Sequence, residues 1–322
     1  MTRLIAFGEA LVDMLSSRLG PSTEKETFTP YAGGAPANVA VACARLGVPS
    51  LFVGMLGRDQ FGDFILEELA SHGVDIRHVV RTDAAKTALA FVSRDASGDR
   101  RFDFYRPPSA DLLYRPEHLP ADLFDASSLL HLCSNTLTEE DITVTTFAVA
   151  EQAAKAGALI SVDANLRANL WPGHRVDTTR VTALLDRAQL IKLAREELEL
   201  LRGDEPEERW LQARLAAGAA LVVITDGGEA VTAVTARTRF QVMPPKVQVV
   251  DTTAAGDAFI GGLIATLVDA RLNRKTLAAW ASDTALLRQA LEFASRCGSF
   301  TVTRPGSYAA LPKREDLATL RS

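Results

Sequence analysis

Residues 251–262 read Asp-Thr-Thr-Ala-Ala-Gly-Asp-Ala-Phe-Ile-Gly-Gly and set one carboxylate, Asp257, within a run of small side chains. Upstream lies a β-rich run (Phe240-Gln-Val-Met, then Val247-Gln-Val-Val), and residues 258–270 are apolar enough for a largely buried helix. The joint therefore reads as a strand-to-helix turn with Asp257 in the first helical turn. The unpaired N–H groups and the dipole of a helix start attract anions. The small side chains of Ala254, Ala255 and Gly256 let a phosphate approach that backbone, and the amides of Ala255, Gly256 and Asp257 would form the cradle. The positive helix end is expected to keep Asp257 ionised, with a depressed pKa. Such a pairing suits phosphoryl transfer to a hydroxyl: the base takes the proton while amides stabilise charge on the moving group. The plainer alternative makes Asp257 a helix cap and the small residues a packing device.

A second segment lies near the N-terminus. Tyr31-Ala-Gly-Gly-Ala-Pro-Ala-Asn-Val-Ala-Val-Ala-Cys-Ala-Arg-Leu-Gly puts Gly33 and Gly34 just before a helix, with Pro36 in its first turn and Gly47 at its far end. Asn38 falls in that first turn, where its amide can donate and accept bonds to a polyol. Leu4-Ile-Ala-Phe-Gly reads as a buried strand, and Leu11-Val-Asp-Met-Leu places Asp13 among apolar neighbours, where a charge needs a partner. An Arg partner for Asp13 and an ordinary turn at Gly33-Gly34 are the plainer readings.

Taken together, the two segments resemble the ribokinase-like (PfkB) family of sugar and nucleoside kinases, whose signatures are Gly-Gly…Asn near the start and Asp-Thr-x-Gly-Ala-Gly-Asp near the end. The resemblance covers almost the whole chain. Phe102-Asp-Phe-Tyr-Arg-Pro-Pro-Ser-Ala-Asp-Leu-Leu and Ser161-Val-Asp-Ala-Asn-Leu-Arg-Ala-Asn-Leu-Trp-Pro resemble blocks of its fructokinase branch. The resemblance implies a three-layer α/β/α sandwich over residues 1–322, with a mostly parallel sheet and a small β-sheet lid from about residues 11–32 and 86–108. It also implies an ATP-dependent carbohydrate kinase acting on D-fructose, with 2-keto-3-deoxygluconate as the alternative acceptor; ribokinase and adenosine kinase activities stay open.

By the same resemblance, Asp257 is the general base, with Gly256, Ala255 and Ala254 as the other residues of the catalytic turn. Asp13, Gly33, Gly34 and Asn38 hold sugar hydroxyls, and Arg106 and Arg167 face the sugar or the phosphates; a surface salt bridge is the alternative for the arginines. Thr225-Asp-Gly-Gly resembles the family's turn beneath ATP, giving Thr225, Gly227 and Gly228 as nucleotide residues beside Lys192, Glu197 and Gly256. Glu197 matches a carboxylate near magnesium, expected to act through water, because Ala194 stands where Asn or Ser is usual. Ala254 replaces the first Gly of the signature; a left-handed backbone there would cost about 1–2 kcal/mol, so right-handed or extended geometry is expected. Potassium is the possible second ion, at Asp251, Thr253, Arg304 and Gly306, within or beside what otherwise reads as a C-terminal strand and turn.

Composition narrows the class. The 322 residues are 47% hydrophobic, enough for one large core, and a net charge of −5 without a basic run argues against nucleic acid. Cys43, Cys133 and Cys297 lack metal-ligand spacing and fit reduced thiols, and the N-terminus reads as a strand rather than a signal peptide. The longest apolar run is too short to span a bilayer, so a cytoplasmic protein without a membrane partner is expected. Strand-like and helix-like runs alternate: residues 50–56 before 60–72, then 128–133 before 138–155, then 158–163, 189–193 and 220–225. That rhythm gives a parallel sheet with helices on both sides. Residues 28–31 and 87–106, turning at Ser97-Gly98, read instead as antiparallel strands and a hairpin, the lid sheet and a possible homodimer surface. No P-loop occurs, and no Gly-x-Gly-x-x-Gly follows the first strand, which sets aside a dinucleotide-dependent oxidoreductase. A silent kinase-like regulatory protein is the remaining non-enzymatic reading, and intact Gly256 and Asp257 argue against it.

Overall fold

The computed structural model describes residues 2–20, 25–94 and 100–319. The chain runs β1 (Arg3–Phe7), β2 (Leu11–Leu19), β3 (Phe28–Gly33), α1 (Ala35–Arg45), β4 (Ser50–Gly57), α2 (Gln60–Ser71) and β5 (Val79–Thr82). Next come β6 (Leu89–Arg94), β7 (Arg100–Tyr105), β8 (Ser128–Cys133), α3 (Glu140–Lys155), β9 (Leu159–Asp163) and α4 (Thr178–Leu185). β10 (Leu190–Ala194), α5 (Arg195–Arg202), α6 (Glu207–Ala217), β11 (Leu221–Thr225), β12 (Val231–Val234) and β13 (Arg239–Val242) follow. The chain ends through α7 (Ala255–Asp269), α8 (Leu277–Ala281) and α9 (Thr284–Thr301).

Nine strands form the main sheet in the order β13-β12-β11-β10-β9-β8-β1-β4-β5. Pairing is parallel from β11 through to β5, and β12 and β13 add an antiparallel edge. The unbroken apolar runs work because each strand is buried on both faces. In β1, Leu4 and Ala6 enter one core, with α1, α2, α7 and α9, while Ile5 and Phe7 enter the other, with α3 to α6. Helices thus cover both faces, giving a three-layer α/β/α sandwich.

The neighbours of α7 explain its Gly261-Gly262 pair. A Cβ on Gly261 would sit 2.6 Å from the Ala42 side chain, and one on Gly262 2.7 Å from Cys297 Sγ. α7 is therefore pressed between α1 and α9, and its start is fixed by both.

β3-β2-β6-β7 make a second, small sheet, with β2 and β6 parallel and the outer pairs antiparallel. Leu11, Ala88 and Ala90, packed with Phe104, form its own small core. The expected Ser97-Gly98 turn lies outside the described residues.

Several expectations need correction. The run beginning at Val247 is not a strand: β13 ends at Val242, and residues 243–250 are irregular. Pro244 and Pro245 remove two backbone donors where a strand would have to continue. The segment instead docks by donating from Val250 and Asp251 N–H to Val302 O, at 2.7 and 3.1 Å. Residues 301–307 are not a strand either, since α9 continues to Thr301 and a turn follows. α3 begins at Glu140, because Thr138 closes a short 3₁₀ turn over Ser134–Leu137. No helix among the described residues is long and apolar enough to cross a membrane.

Candidate active site

Two helix starts meet at the centre of the molecule. Gly34 caps α1 and Ala254 caps α7, so Asn38 and Asp257 both lie in first turns. Asn38 Nδ2 donates to Asp257 Oδ2 at 2.7 Å, and both residues are buried. Asn38 is thus the group that fixes the carboxylate; its own Oδ1 is buried with no partner among the described residues. Burial raises the Asp257 pKa above the ordinary carboxylate value, against the Asn38 hydrogen bond and the charges of Lys192 and Arg167. The depressed pKa expected from the helix end is therefore wrong: desolvation outweighs the dipole.

Beneath α7, a polar row crosses the carboxyl ends of the parallel strands. Cys133 on β8 is paired in register with Asp163 on β9, and Asp163 with Lys192 on β10. Lys192 Nζ donates to Asp163 Oδ1 and Oδ2 at 3.0 and 2.8 Å, and both residues are buried. Burial pushes the Asp163 carboxyl up to about 7. Burial opposes the Lys192 charge as well, but Asp163 and Glu197 hold its ammonium above the usual lysine value. A Cβ on Gly256 would lie 2.9 Å from Lys192 Nζ. Gly256 is small because Lys192 reaches it, which the sequence alone did not reveal.

Ala254 has φ 58° and ψ 11°, so the expectation of right-handed or extended backbone is refuted. A left-handed Ala costs about 1–2 kcal/mol. The turn before it imposes this geometry. Asp251 Oδ1 accepts from Thr253 N–H at 2.9 Å, Ala255 N–H donates to Thr252 O at 3.3 Å, and Ala258 N–H closes onto Ala254 O at 2.8 Å. With the Ala255 N–H already leaning on Thr252, the expected cradle would narrow to the Gly256 and Asp257 amides, which have no intrahelical acceptor.

Asp251 Oδ2 also accepts from Gly306 N–H at 2.9 Å, joining Asp251, Thr253 and Gly306 in one loop. Arg304 is exposed and stacks over Phe300 at 4.2 Å from the ring centroid. Glu197 is buried and accepts from Leu166 N–H at 2.6 Å and Ala194 N–H at 2.7 Å. Both of its oxygens are thus engaged, and the backbone of Ala194 is satisfied without the Asn or Ser side chain. Thr225 ends β11 opposite Ala194 in register, and the exposed turn beyond it closes from Glu229 N–H to Asp226 O at 2.7 Å, with Gly227 at φ 52°. Gly228 follows in the same exposed turn.

Asp13 points to the inner face of the small sheet, where a Cβ on Gly33 would stand 2.6 Å from its Oδ2. Arg106 is in an ion pair, but a buried one rather than a surface one. Its Nε donates to Asp111 Oδ2 at 2.8 Å and its Nη1 to Thr138 Oγ1 at 3.3 Å, with 1% of the residue exposed. Arg167 is exposed and donates to Leu166 O at 3.1 Å.

Sequence reasoning missed the buried companions Asp163, Asp111, Glu9 and Asn135. Glu9 accepts from Asn135 Nδ2 at 2.9 Å and Ala35 N–H at 3.3 Å, and burial raises its pKa. A signal existed for two of them, because Asp111 and Asp163 fall inside the two fructokinase-like blocks. Glu9 and Asn135 carry none, since their pairing crosses 126 positions.

A parallel α/β sheet with a held carboxylate and helix-start amides above its carboxyl ends is suited to phosphoryl transfer to a hydroxyl. Residues 1–314 match the pfkB family carbohydrate kinases, and the chain belongs to that family. It is 37% identical over 319 residues to "Probable fructokinase-4" of Arabidopsis thaliana, covering 98% of this chain and 96% of that one. The fructokinase of Xylella fastidiosa with bound ATP superposes with a TM-score of 0.93 at 40% identity, covering 98% of this chain and 97% of that chain. A double mutant of the Vibrio cholerae O395 fructokinase, in fructose, ADP and potassium ion bound form, has a TM-score of 0.86 at 31% identity, covering 100% and 99%.

Proposed function

We propose that this chain transfers the γ-phosphoryl group of ATP to the 6-hydroxyl of D-fructose, giving ADP and D-fructose 6-phosphate. The carrying observation is the Asn38–Asp257 contact between two helix starts, in a chain matched almost end to end by fructokinases. Asp13, Gly33, Gly34 and Asn38 orient the sugar, with Arg106 set behind them by Asp111 and Arg167 at the open side. Asp257 takes the hydroxyl proton, the sugar oxygen bonds to the γ-phosphorus, and the bond to the β,γ-bridging oxygen breaks with its electron pair leaving on ADP. Gly256 and Asp257 N–H groups hold the moving group. Thr225, Gly227 and Gly228 lie at the end of β11, beside β10, where the nucleotide would extend.

Magnesium accompanying ATP would meet Glu197 through water, since both carboxylate oxygens already accept a backbone N–H. Potassium would sit at the loop that Asp251 gathers from Thr253 and Gly306, with Arg304 at its rim. The free, buried cysteines fit a reducing cytoplasm. A second copy of the chain would cover the outer face of the small sheet. ADP release measured with fructose, 2-keto-3-deoxygluconate, ribose and adenosine is expected to give fructose the highest kcat/KM. Turnover of another acceptor with fructose inert removes the fructose reading.

A further inference from the structure

We propose that Ser307 is a positioning residue: its hydroxyl ties the edge of the small sheet to the turn that opens α7, so that a nucleotide held at that turn also steadies the strand beside Asp13. This inference rests on the phosphoryl transfer above and assigns Ser307 no contact with either substrate. Val12 N–H donates to Ala88 O at 3.1 Å, toward β6. Ala32 is paired with Val12, so its own polar groups face the other way, to the outer edge of β3. Ser307 Oγ donates to Ala32 O at that edge, and Ser307 is 2% exposed. One residue earlier, Gly306 N–H donates to Asp251 Oδ2 at 2.9 Å, and Asp251 Oδ1 accepts from Thr253 N–H at 2.9 Å. Ala254 follows with its left-handed φ of 58°, and α7 begins. Two consecutive residues, Gly306 and Ser307, therefore hold the α7 turn on one side and the small sheet on the other.

The turn between them is held firmly enough to pass a displacement on. Gly306 sits at φ 91°, and a Cβ placed on it would touch the Tyr31 ring at 3.5 Å. Ser307 O accepts from Ala310 N–H at 3.0 Å. Tyr308, 3% exposed, lies edge-on to His72 at 5.7 Å. Packed groups of this kind transmit a shift rather than absorb it. On the sheet side, Tyr31 is paired in register with Asp13, and Gly33 abuts the Asp13 carboxylate. A second route runs from Gly34 through Asn38, but it ends on the Asp257 side chain. Ser307 acts instead on the backbone that orients the Gly256 and Asp257 amides.

The competing role is anchorage alone, in which the hydroxyl only satisfies a buried carbonyl. Ser307→Ala separates the two, because anchorage changes the melting temperature and leaves communication between the halves of the site intact. Hydrogen exchange across residues 28–33 of the full chain, with and without saturating ADP in one potassium-containing buffer, reads that communication directly. In the wild type, ADP is expected to slow exchange there at least about fivefold, the low end of usual coupling between sites. In Ser307→Ala, ADP is expected to bind within about threefold of its wild-type Kd while the slowing shrinks to within about twofold of none. Ser307→Cys keeps a weaker donor at the same place and is expected to fall between them, which serves if the alanine variant does not fold. Wild-type slowing in Ser307→Ala overturns the proposal, and so does a wild type whose exchange over residues 28–33 ignores ADP. If the cysteine variant alone folds, full wild-type slowing in it has the same consequence. Exchange is read without an acceptor. Fructose being inert in the wild type therefore sinks the fructose reading while leaving the Ser307 comparison decisive.

Discussion

At the residue scale, the proposed chemistry depends on one carboxylate that two opposing influences act on. Asp257 is buried, which favours its protonated form, and Asn38 hydrogen-bonds the ionised form at 2.7 Å. The proposed proton transfer needs the carboxylate. Because its pKa is raised, activity should be lost on the acid side above the ordinary Asp value of 3.8, as pH falls through the raised folded-state pKa. Asn38→Ala removes an interaction that lowers this pKa, so the acid limb of kcat/KM should move to higher pH; an unmoved limb would detach Asn38 from the base. Asp257→Asn should keep the fold and lower kcat by roughly 10²–10⁴-fold, the usual size of a general-base effect, measured by ADP release. Asp257 itself was legible because small residues flank it just before an apolar helix. Its pKa was not, since a helix dipole is local in sequence whereas burial comes from α1 and β10, which are far away along the chain.

At the element scale, the start of α7 shows why a local rule can fail. Ala254 is left-handed at φ 58° because Asp251, Thr253 and the closing bond of Ala258 define the turn around it. The cost of Ala there was legible, and the conformation was not, because the turn is held by Gly306 from the other end of α9. Ala254→Gly should therefore stabilise the protein, by up to about 1.5 kcal/mol, as relief of a roughly 1–2 kcal/mol strain is offset by the roughly 0.5–1 kcal/mol entropic cost of Gly. Urea denaturation reads this directly; a lower midpoint at unchanged slope would show that the Ala254 methyl packs better than its backbone suffers. The parallel strands β8 to β11 were visible as short apolar runs because burial on both faces leaves no alternation to obscure them. The run beginning at Val247 misled because β-propensity says nothing about whether a neighbouring strand is present to pair with, and Pro244-Pro245 had already ended β13.

At the scale of the whole molecule, the small sheet carries exposed aromatic side chains on one face. The register puts Phe28, Phe91 and Tyr105 on one face and Asp13, with Ala90 and Tyr31, on the other. The inner face has a core of three small or medium side chains packed with Phe104. On the outer face, Phe91 stacks edge-on with both Phe28 and Tyr105 at 5.1 Å, and Phe28 and Tyr105 are 38% and 62% exposed. An aromatic ladder left open to water on a sheet with so small a core is better satisfied by a like surface, since a two-fold contact pairs the same patch on both subunits. Sedimentation of the wild type at micromolar concentration is therefore expected to give a dimer. Tyr105→Asp, which puts a charge in that contact without touching the inner face, should shift it to the monomer mass. Loss of the dimer should also raise KM for the sugar more than it lowers kcat, because Asp13 is carried by this sheet while Asp257 and Lys192 belong to the main core. A wild type that sediments as a monomer over the whole concentration range would leave the ladder as a property of the single chain, and Tyr105→Asp would then leave KM where it was.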